Sequence, residues 1–209
     1  MSKYDSSFER IMRLEYENIQ KLIKSVDRNV VEKTIDLLIA VKPQSHKVIT
    51  AGCGTSGILA ERVAHSMCVV EIPAFFLSPA NAIHGGAGAI QKGDIVVLFS
   101  KGGNTKEIIN YIPICHAKGA TIIGVSQNDG SVLALNSDIY FKIQVDQEAD
   151  IWNMCASASC NAIAAVWDAV LFTAVQYTDY TKDDLKLIHS GGRVGELLGV
   201  NNHEAGKIC

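Results

Sequence analysis

The sequence lacks the features that mark several large classes of protein. Its 19 lysine and arginine residues against 22 aspartates and glutamates give a net charge of −3, and they form no basic cluster, which argues against a nucleic-acid binder. The first residues are polar and lack the apolar centre of a signal peptide, and no apolar run approaches the roughly 20 residues that cross a bilayer. We therefore expect a soluble, cytoplasmic protein with neither nucleic-acid nor membrane partners.

Paired cysteines are missing as well. The six cysteines include no C-x-x-C pair, which fits neither a zinc ribbon nor a small disulfide scaffold, so we expect mostly reduced thiols in the core. Cys53 lies beside a predicted helix start, where a thiolate would be stabilised, but no neighbouring histidine could serve as its base. Histidines and acids that could bind zinc come only from distant loops, and we expect no metal site.

The chain of 209 residues, 48% of them hydrophobic, fits one domain. Apolar residues at helical spacing between positions 5 and 42 predict two helices, with Asp27 as the N-cap of the second. Short β-branched runs then alternate with helical patterns, as in parallel βαβ units. The predicted strands are residues 47–50, 72–77, 94–99, 121–125 and 138–143. Because several of them are apolar throughout, we expect an α/β three-layer sandwich with a doubly wound, five-stranded parallel sheet.

The first candidate loop, A-G-C-G-T-S-G at residues 51–57, follows the first predicted strand. Its glycines fit the G-x-G-x-x-G spacing of a dinucleotide-binding loop, which also requires an acidic residue about 20 positions later, at the end of the second strand. That strand ends in F-L-S-P, and Glu71 lies before it. The missing acid argues against a nicotinamide cofactor and leaves a loop that could bind a phosphate.

The second candidate loop, S-K-G-G-N-T-K-E at residues 100–107, follows the third predicted strand. Glycines allow a tight turn, Ser100 and Thr105 offer hydroxyls, and the next helix offers unpaired N–H groups, which together suit a phosphate. The same composition also occurs in ordinary strand-to-helix connections. Both loops would lie at the carboxyl edge of the sheet, where such folds bind ligands, so the pair predicts one phosphate bound by two loops.

Together with five further blocks, the two loops resemble the SIS (sugar isomerase) domains, and among them the D-arabinose 5-phosphate isomerases. The blocks are I-P-A-F-F at 72–76, H-G-G-A-G-A-I at 84–90, Q-E-A at 147–149, W-D-A at 167–169 and H-S-G-G-R-V-G at 189–195. The resemblance implies a single SIS domain without a CBS pair, with a helical arm at 1–42, a sugar-phosphate-binding core at 43–198 and a tail at 199–209. It also implies a homodimer or homotetramer.

The activity that the resemblance implies is aldose–ketose isomerisation of a sugar phosphate through an enediol, which needs acid–base groups and no metal or organic cofactor. The implied catalytic residues are Glu148 as the carbon-proton base, Glu107 as its acid/base partner, and His189 as a group that opens the sugar ring or moves hydroxyl protons. The implied substrate-binding residues are Gly54, Thr55, Ser56, His84, Ser100, Lys101, Gly102, Gly103, Asn104 and Thr105.

Several of these side chains also have a purely structural interpretation. Glu107 could cap a helix and His189 could end one, since both charges are favourable at those helix termini. Glu148 could belong to a solvated acidic stretch, and His84 could serve a turn. These alternatives stay open at the level of sequence.

The chain departs from the arabinose 5-phosphate isomerase pattern in both loops. Loop one of that family reads G-x-G-K-S, where this chain has Thr55, and loop two reads S-x-S-G-E-T, where it has Gly102 and Asn104. Loss of the lysine removes a point charge beside the substrate, although Thr55 and Ser56 can still bind a phosphate or a hydroxyl. Another pentose or hexose phosphate, a hexulose-phosphate isomerase or lyase, and a non-catalytic sugar-phosphate-binding regulator therefore stay open.

Overall fold

Five parallel strands form the centre of the computed structural model, which describes residues 3–199. The strands are β1 (Val48–Gly52), β2 (Ala74–Phe76), β3 (Ile95–Phe99), β4 (Thr121–Ser126) and β5 (Ile139–Lys142). They pair in the order β2-β1-β3-β4-β5, and all four pairings are parallel. The predicted doubly wound sheet is confirmed, with the ends of every observed strand within two residues of their predicted positions.

Nine α-helices connect and cover the strands in the described part of the chain. They are α1 (Asp5–Ser25), α2 (Arg28–Val41), α3 (Thr55–Val69), α4 (Pro79–Ile83), α5 (Lys106–Lys118), α6 (Val132–Leu135), α7 (Ala158–Ala174), α8 (Lys182–Ile188) and α9 (Gly192–Leu197). The two predicted N-terminal helices are present, and Asp27 caps α2 as predicted by accepting a hydrogen bond from the N–H of Asn29. Of the predicted tail, residues 200–209 lie outside the described residues.

The core lies on both faces of the sheet, because every residue of β1 and β3 is buried. Helices α2, α3 and α7 supply the apolar side chains on one face, and α4, α5 and α6 supply those on the other. The largest buried side chain, Trp167 of α7, packs against Phe99 and Phe141, with ring centroids 5.7 and 5.8 Å apart. This arrangement confirms the three-layer sandwich.

Helix α7 corrects one expectation from the sequence. Residues Ala158–Tyr177 are, by length and composition alone, apolar enough to cross a membrane, although no run of that length was expected. One side of the helix packs on the sheet through Trp167, while α1, α2 and α3 contact its other sides. A helix that packs on the sheet and on three other helices is apolar because much of it belongs to the core, so its composition is only weak evidence for a membrane segment.

Candidate active site

The two candidate loops meet at the point where the strand order reverses. Loop one (residues 51–57) leaves β1 toward α3 on one face, whereas loop two (residues 100–107) leaves the neighbouring β3 toward α5 on the other. The register pairs Gly52 with Phe99, so the two strands end side by side. A crevice between diverging loops is where doubly wound sheets bind ligands.

The glycines of loop one permit a close approach between β1 and α3. A Cβ atom on Gly52 would lie 2.5 Å from the Ser56 carbonyl oxygen, and one on Gly57 would lie 2.8 Å from the Gly52 carbonyl oxygen. Gly54 has φ +57° and ψ −132°, which side chains disfavour. These contacts bring the free N–H groups of the first turn of α3, beginning at Thr55, to the carboxyl edge of the sheet.

A cavity of about 360 Å³ lies between loop one and the start of α5. Gly54 lines it on one side and Glu107, in the first turn of α5, lines it on the other. Burial and then the charge of Glu107 raise the pKa of the Cys53 thiol, which argues further against Cys53 as a nucleophile. The volume falls within the usual range for small-molecule sites.

Side chains of loop two shape the loop itself. The Ser100 hydroxyl is buried, lies 2.9 Å from the Thr105 hydroxyl and accepts the Gly103 N–H at 3.2 Å. Asn104 accepts the N–H of Val132 through its amide oxygen at 2.9 Å, which ties the loop to the start of α6. These contacts fix the backbone around the N-terminus of α5, so Ser100, Asn104 and Thr105 act here as the scaffold of loop two.

Glu148 is buried at the N-terminus of α7. Its Oε2 accepts hydrogen bonds from the Ser157 N–H (2.9 Å), the Ser157 hydroxyl (3.2 Å) and the Ser159 N–H (3.1 Å). Its Oε1 accepts from the Ser159 hydroxyl and is paired with Lys101 Nζ, both at 2.5 Å. With none of its side chain exposed, Glu148 does not belong to a solvated acidic stretch, which rules out that alternative.

The surroundings of Glu148 keep it ionised. Burial alone would raise the pKa of this carboxyl, but the hydrogen bonds from Lys101, Ser159 and the backbone N–H groups of α7 outweigh burial and lower the pKa to about 2. The partial positive charge of the helix N-terminus acts in the same direction. The fold thus brings loop two and Glu148 together through Lys101.

The two predicted histidines are placed differently. His84 ends α4 and is exposed, on the segment that also contributes Ser78 to the cavity. His189 ends α8, and the stretch before α8 lines a second cavity of about 520 Å³ with Lys42 and Glu71, at the amino end of the strands. Within residues 3–199, no hydrogen bond or ion pair joins either histidine to Glu107 or Glu148.

Sequence reasoning missed the groups that position Glu148. Ser157 and Ser159 bind its carboxylate, while Asn153, with φ +57°, accepts the Glu148 N–H through its side chain at 2.6 Å. Ser157, at the N-cap position of a long apolar helix, belongs to a residue type common there, a signal that could have been recognised. Among the described residues, no group of three histidine, cysteine, aspartate or glutamate side chains could hold a metal ion.

Comparison with known proteins places this site in a family. The pattern of the SIS domain matches residues 43–175. A Listeria monocytogenes protein described as a candidate sugar-phosphate isomerase superposes with a TM-score of 0.87 and 40% identity, over 91% of this chain and 100% of that one. Escherichia coli CFT073 protein c3406, solved in complex with arabinose 5-phosphate, superposes with a TM-score of 0.81 and 28% identity, over 90% of this chain and 100% of that one.

Curated relatives agree with the structural matches. The arabinose 5-phosphate isomerase KdsD of Francisella tularensis is 29% identical over 198 residues, which make up 95% of this chain and 60% of the relative. The chain therefore spans about three-fifths of the length of that relative. Since the SIS pattern alone covers more than half of the sequence, the chain belongs to the SIS (sugar isomerase) domain family.

Proposed function

We propose that the chain is a sugar-phosphate aldose–ketose isomerase that acts on arabinose 5-phosphate or on another pentose or hexose phosphate. The observation that carries this proposal is the buried, ionised carboxylate of Glu148 beside loop two, because a positioned carboxylate can move a proton between neighbouring carbons. The relative named arabinose 5-phosphate isomerase and the structural relative in complex with arabinose 5-phosphate support this substrate class.

In this proposal the phosphate binds where loops one and two meet. Two helix N-termini, those of α3 and α5, direct their free N–H groups and partial positive charge toward the same edge of the sheet. Thr55 and Ser56 supply hydroxyls on one side, with Thr105 and the backbone of Gly102 and Gly103 on the other. Such a site binds the phosphate through backbone groups and needs few side-chain charges.

The proton transfers follow from the proposed positions. Glu148 removes the proton from C2 of the open-chain aldose phosphate while Glu107, its acid/base partner, gives a proton to O1, which forms a 1,2-enediol. Glu107, which lines the cavity beside loop one, takes the proton from O2, and Glu148 returns its proton to C1. The ketose phosphate that leaves has the same atoms and the same overall oxidation state as the aldose phosphate, so the reaction needs no oxidant or cofactor.

His189 acts, in this proposal, in the site of a neighbouring copy. Helix α8 buries none of its residues within the described part of the chain, and Leu187 of this helix is 80% exposed. Helix α1 also exposes a stripe of apolar side chains, including Phe8 at 67%. Exposed apolar helices suit an interface between copies, so the proposal includes a homodimer or homotetramer. A cytoplasmic location is part of the same proposal, because the named relatives act on phosphorylated sugars.

The proposed reaction is tested by hydrogen exchange. The protein is incubated in D2O with arabinose 5-phosphate and with other pentose and hexose phosphates, and C1 and C2 are followed by NMR. We expect deuterium to enter at these carbons for at least one substrate and the exchange rate to fall by about 10²–10⁴ in Glu148→Gln.

Asp146→Asn is the matched control, since Asp146 lies two residues away and forms an exposed pair with Lys21. It should exchange at the wild-type rate. Wild-type exchange in Glu148→Gln would remove Glu148 as the base, while tight binding of a sugar phosphate without any exchange would favour the regulator.

A further inference from the structure

Glu148 has no free acceptor position for a carbon-bound proton in this structure. Oε1 is taken by Lys101 and the Ser159 hydroxyl, and Oε2 by three donors from residues 157 and 159. A base works best with a pKa near the operating pH, far above the value of about 2 that this environment produces. Catalysis by Glu148 therefore requires one of these donors to leave.

Lys101 is the donor that can leave. The four donors of Ser157 and Ser159 belong to the N-terminus of α7, where the helix fixes their positions. The ammonium of Lys101 lies instead at the end of a flexible side chain that is 31% exposed. Its backbone is anchored separately, because the Lys101 carbonyl accepts the N–H of Gln127 at 3.0 Å, so the side chain can move while loop two stays in place.

A bound phosphate offers Lys101 a second partner. The residue lies between Ser100 and Gly102 of loop two, and loop one carries no lysine or arginine at residues 51–57. Lys101 and the exposed Lys106 are thus the two cations of the candidate loops. A phosphate dianion attracts an ammonium more strongly than a carboxylate monoanion that four other donors already stabilise.

We infer that Lys101 is a positioning residue whose ammonium moves from Glu148 to the phosphate of the bound substrate, which frees Oε1 of Glu148 to accept the carbon-bound proton. This inference rests on the proposed function. The base is then inactive in the empty site and becomes active when an anion occupies loop two. Among the described residues, Cys160 also lies within electrostatic reach of the ion pair; burial and the charge of Glu148 raise the pKa of its thiol, which therefore stays neutral.

The test follows the carboxyl group of Glu148 directly. Protein labelled with ¹³C at the glutamate side-chain carboxyl is titrated between about pH 3 and 8, with and without saturating inorganic phosphate, and the Glu148 signal is assigned by its loss in Glu148→Gln. Without phosphate we expect the carboxylate shift throughout. With phosphate, the pKa should rise by about 1–3, because an opposite charge has left a buried carboxyl. An identical titration with phosphate, or no phosphate binding by ³¹P NMR, would overturn the inference.

Three variants separate movement of Lys101 from a fixed structural ion pair. Lys101→Met should raise the pKa of Glu148 without phosphate and reduce its response to phosphate. Lys101→Arg keeps the charge if the methionine variant does not fold, but its bidentate guanidinium should retain the carboxylate, so that kcat falls at least about tenfold with little change in KM. Full activity of Lys101→Arg would indicate a merely structural pair. Lys142→Met, which breaks the exposed pair with Asp129, is the control and should leave the Glu148 titration unchanged.

The titration needs no turnover and therefore gives its answer even if the protein isomerises none of the sugars tested. Conversely, the protein could isomerise a sugar phosphate while its Glu148 titrates independently of phosphate. That result would support the proposed function and overturn the role inferred for Lys101.

Discussion

Gly103 is required for two reasons, its backbone conformation and the absence of a side chain. It has φ +70°, and a Cβ atom there would lie 2.1 Å from the Ser131 hydroxyl. The neighbouring Gly102 has open space around a built Cβ atom. The conformation of loop two therefore requires glycine at position 103. At position 102, glycine leaves open space beside the loop.

We expect Gly103→Ala to lower the free energy of unfolding by about 1–3 kcal/mol, because a left-handed conformation and a steric clash both oppose the new methyl group. Gly102→Ala should change the free energy of unfolding by no more than about 0.5 kcal/mol. Urea denaturation of the two variants checks the difference, and equal stability losses would contradict the role assigned to Gly103.

Glu148 and Lys101 show where residue-level prediction from sequence stopped. The sequence predicts Glu148 as a site residue, but its pairing with Lys101 joins positions that are 47 residues apart in sequence. Lys101 was assigned to substrate binding because it lies in a phosphate-like loop. The contact between Lys101 and Glu148 is visible only in the fold, which places loop two, after the end of β3, beside the start of α7.

At the scale of elements, the strands and the first two helices were predictable because apolar periodicity reports burial directly. The N-cap Asp27 was equally clear, since the signal is local. The start of α7 was harder, because residues 150–157 fold into turns held by Asp150, which accepts three backbone N–H groups. Such turns depend on tertiary contacts that no local pattern records.

The N-terminus of α7 should make stability depend on acid through Glu148. The pKa of this carboxyl is lowered from 4.5 to about 2 in the folded protein, so its contribution to stability is complete above about pH 4.5 and is lost as the pH falls toward 2. This side chain is fully buried, and the corresponding free energy is about 3 kcal/mol.

Urea denaturation at a series of pH values checks this expectation. Wild-type stability should fall more steeply between pH 4.5 and 2 than that of Glu148→Gln, which lacks the titrating group. Parallel curves for the two proteins would show that the buried carboxylate is not the acid-sensitive group.

At the scale of the whole molecule, the separation of His189 from the cavity predicts shared sites between copies. A mixture of Glu148→Gln and His189→Ala, each inactive alone, should regain activity after the subunits are exchanged. For random pairing in a homodimer, half of the molecules are mixed and one of their two sites is intact, which gives about a quarter of wild-type activity. Light scattering establishes the oligomer, and no recovery in a mixed oligomer would place His189 outside the site or within its own subunit.

The packing of α7 against the sheet and three earlier helices has a consequence for the order of synthesis. Helices α1 and α2 and all five strands precede α7 in the chain, so the surfaces that cover its 20-residue apolar stretch have left the ribosome before the stretch itself appears. This apolar stretch is therefore made after the elements that pack against it, and it can be buried as soon as it emerges. A circular permutation that began at Ala158 would reverse this order and expose the same segment to chaperones and the translocation machinery while its partners were still unmade.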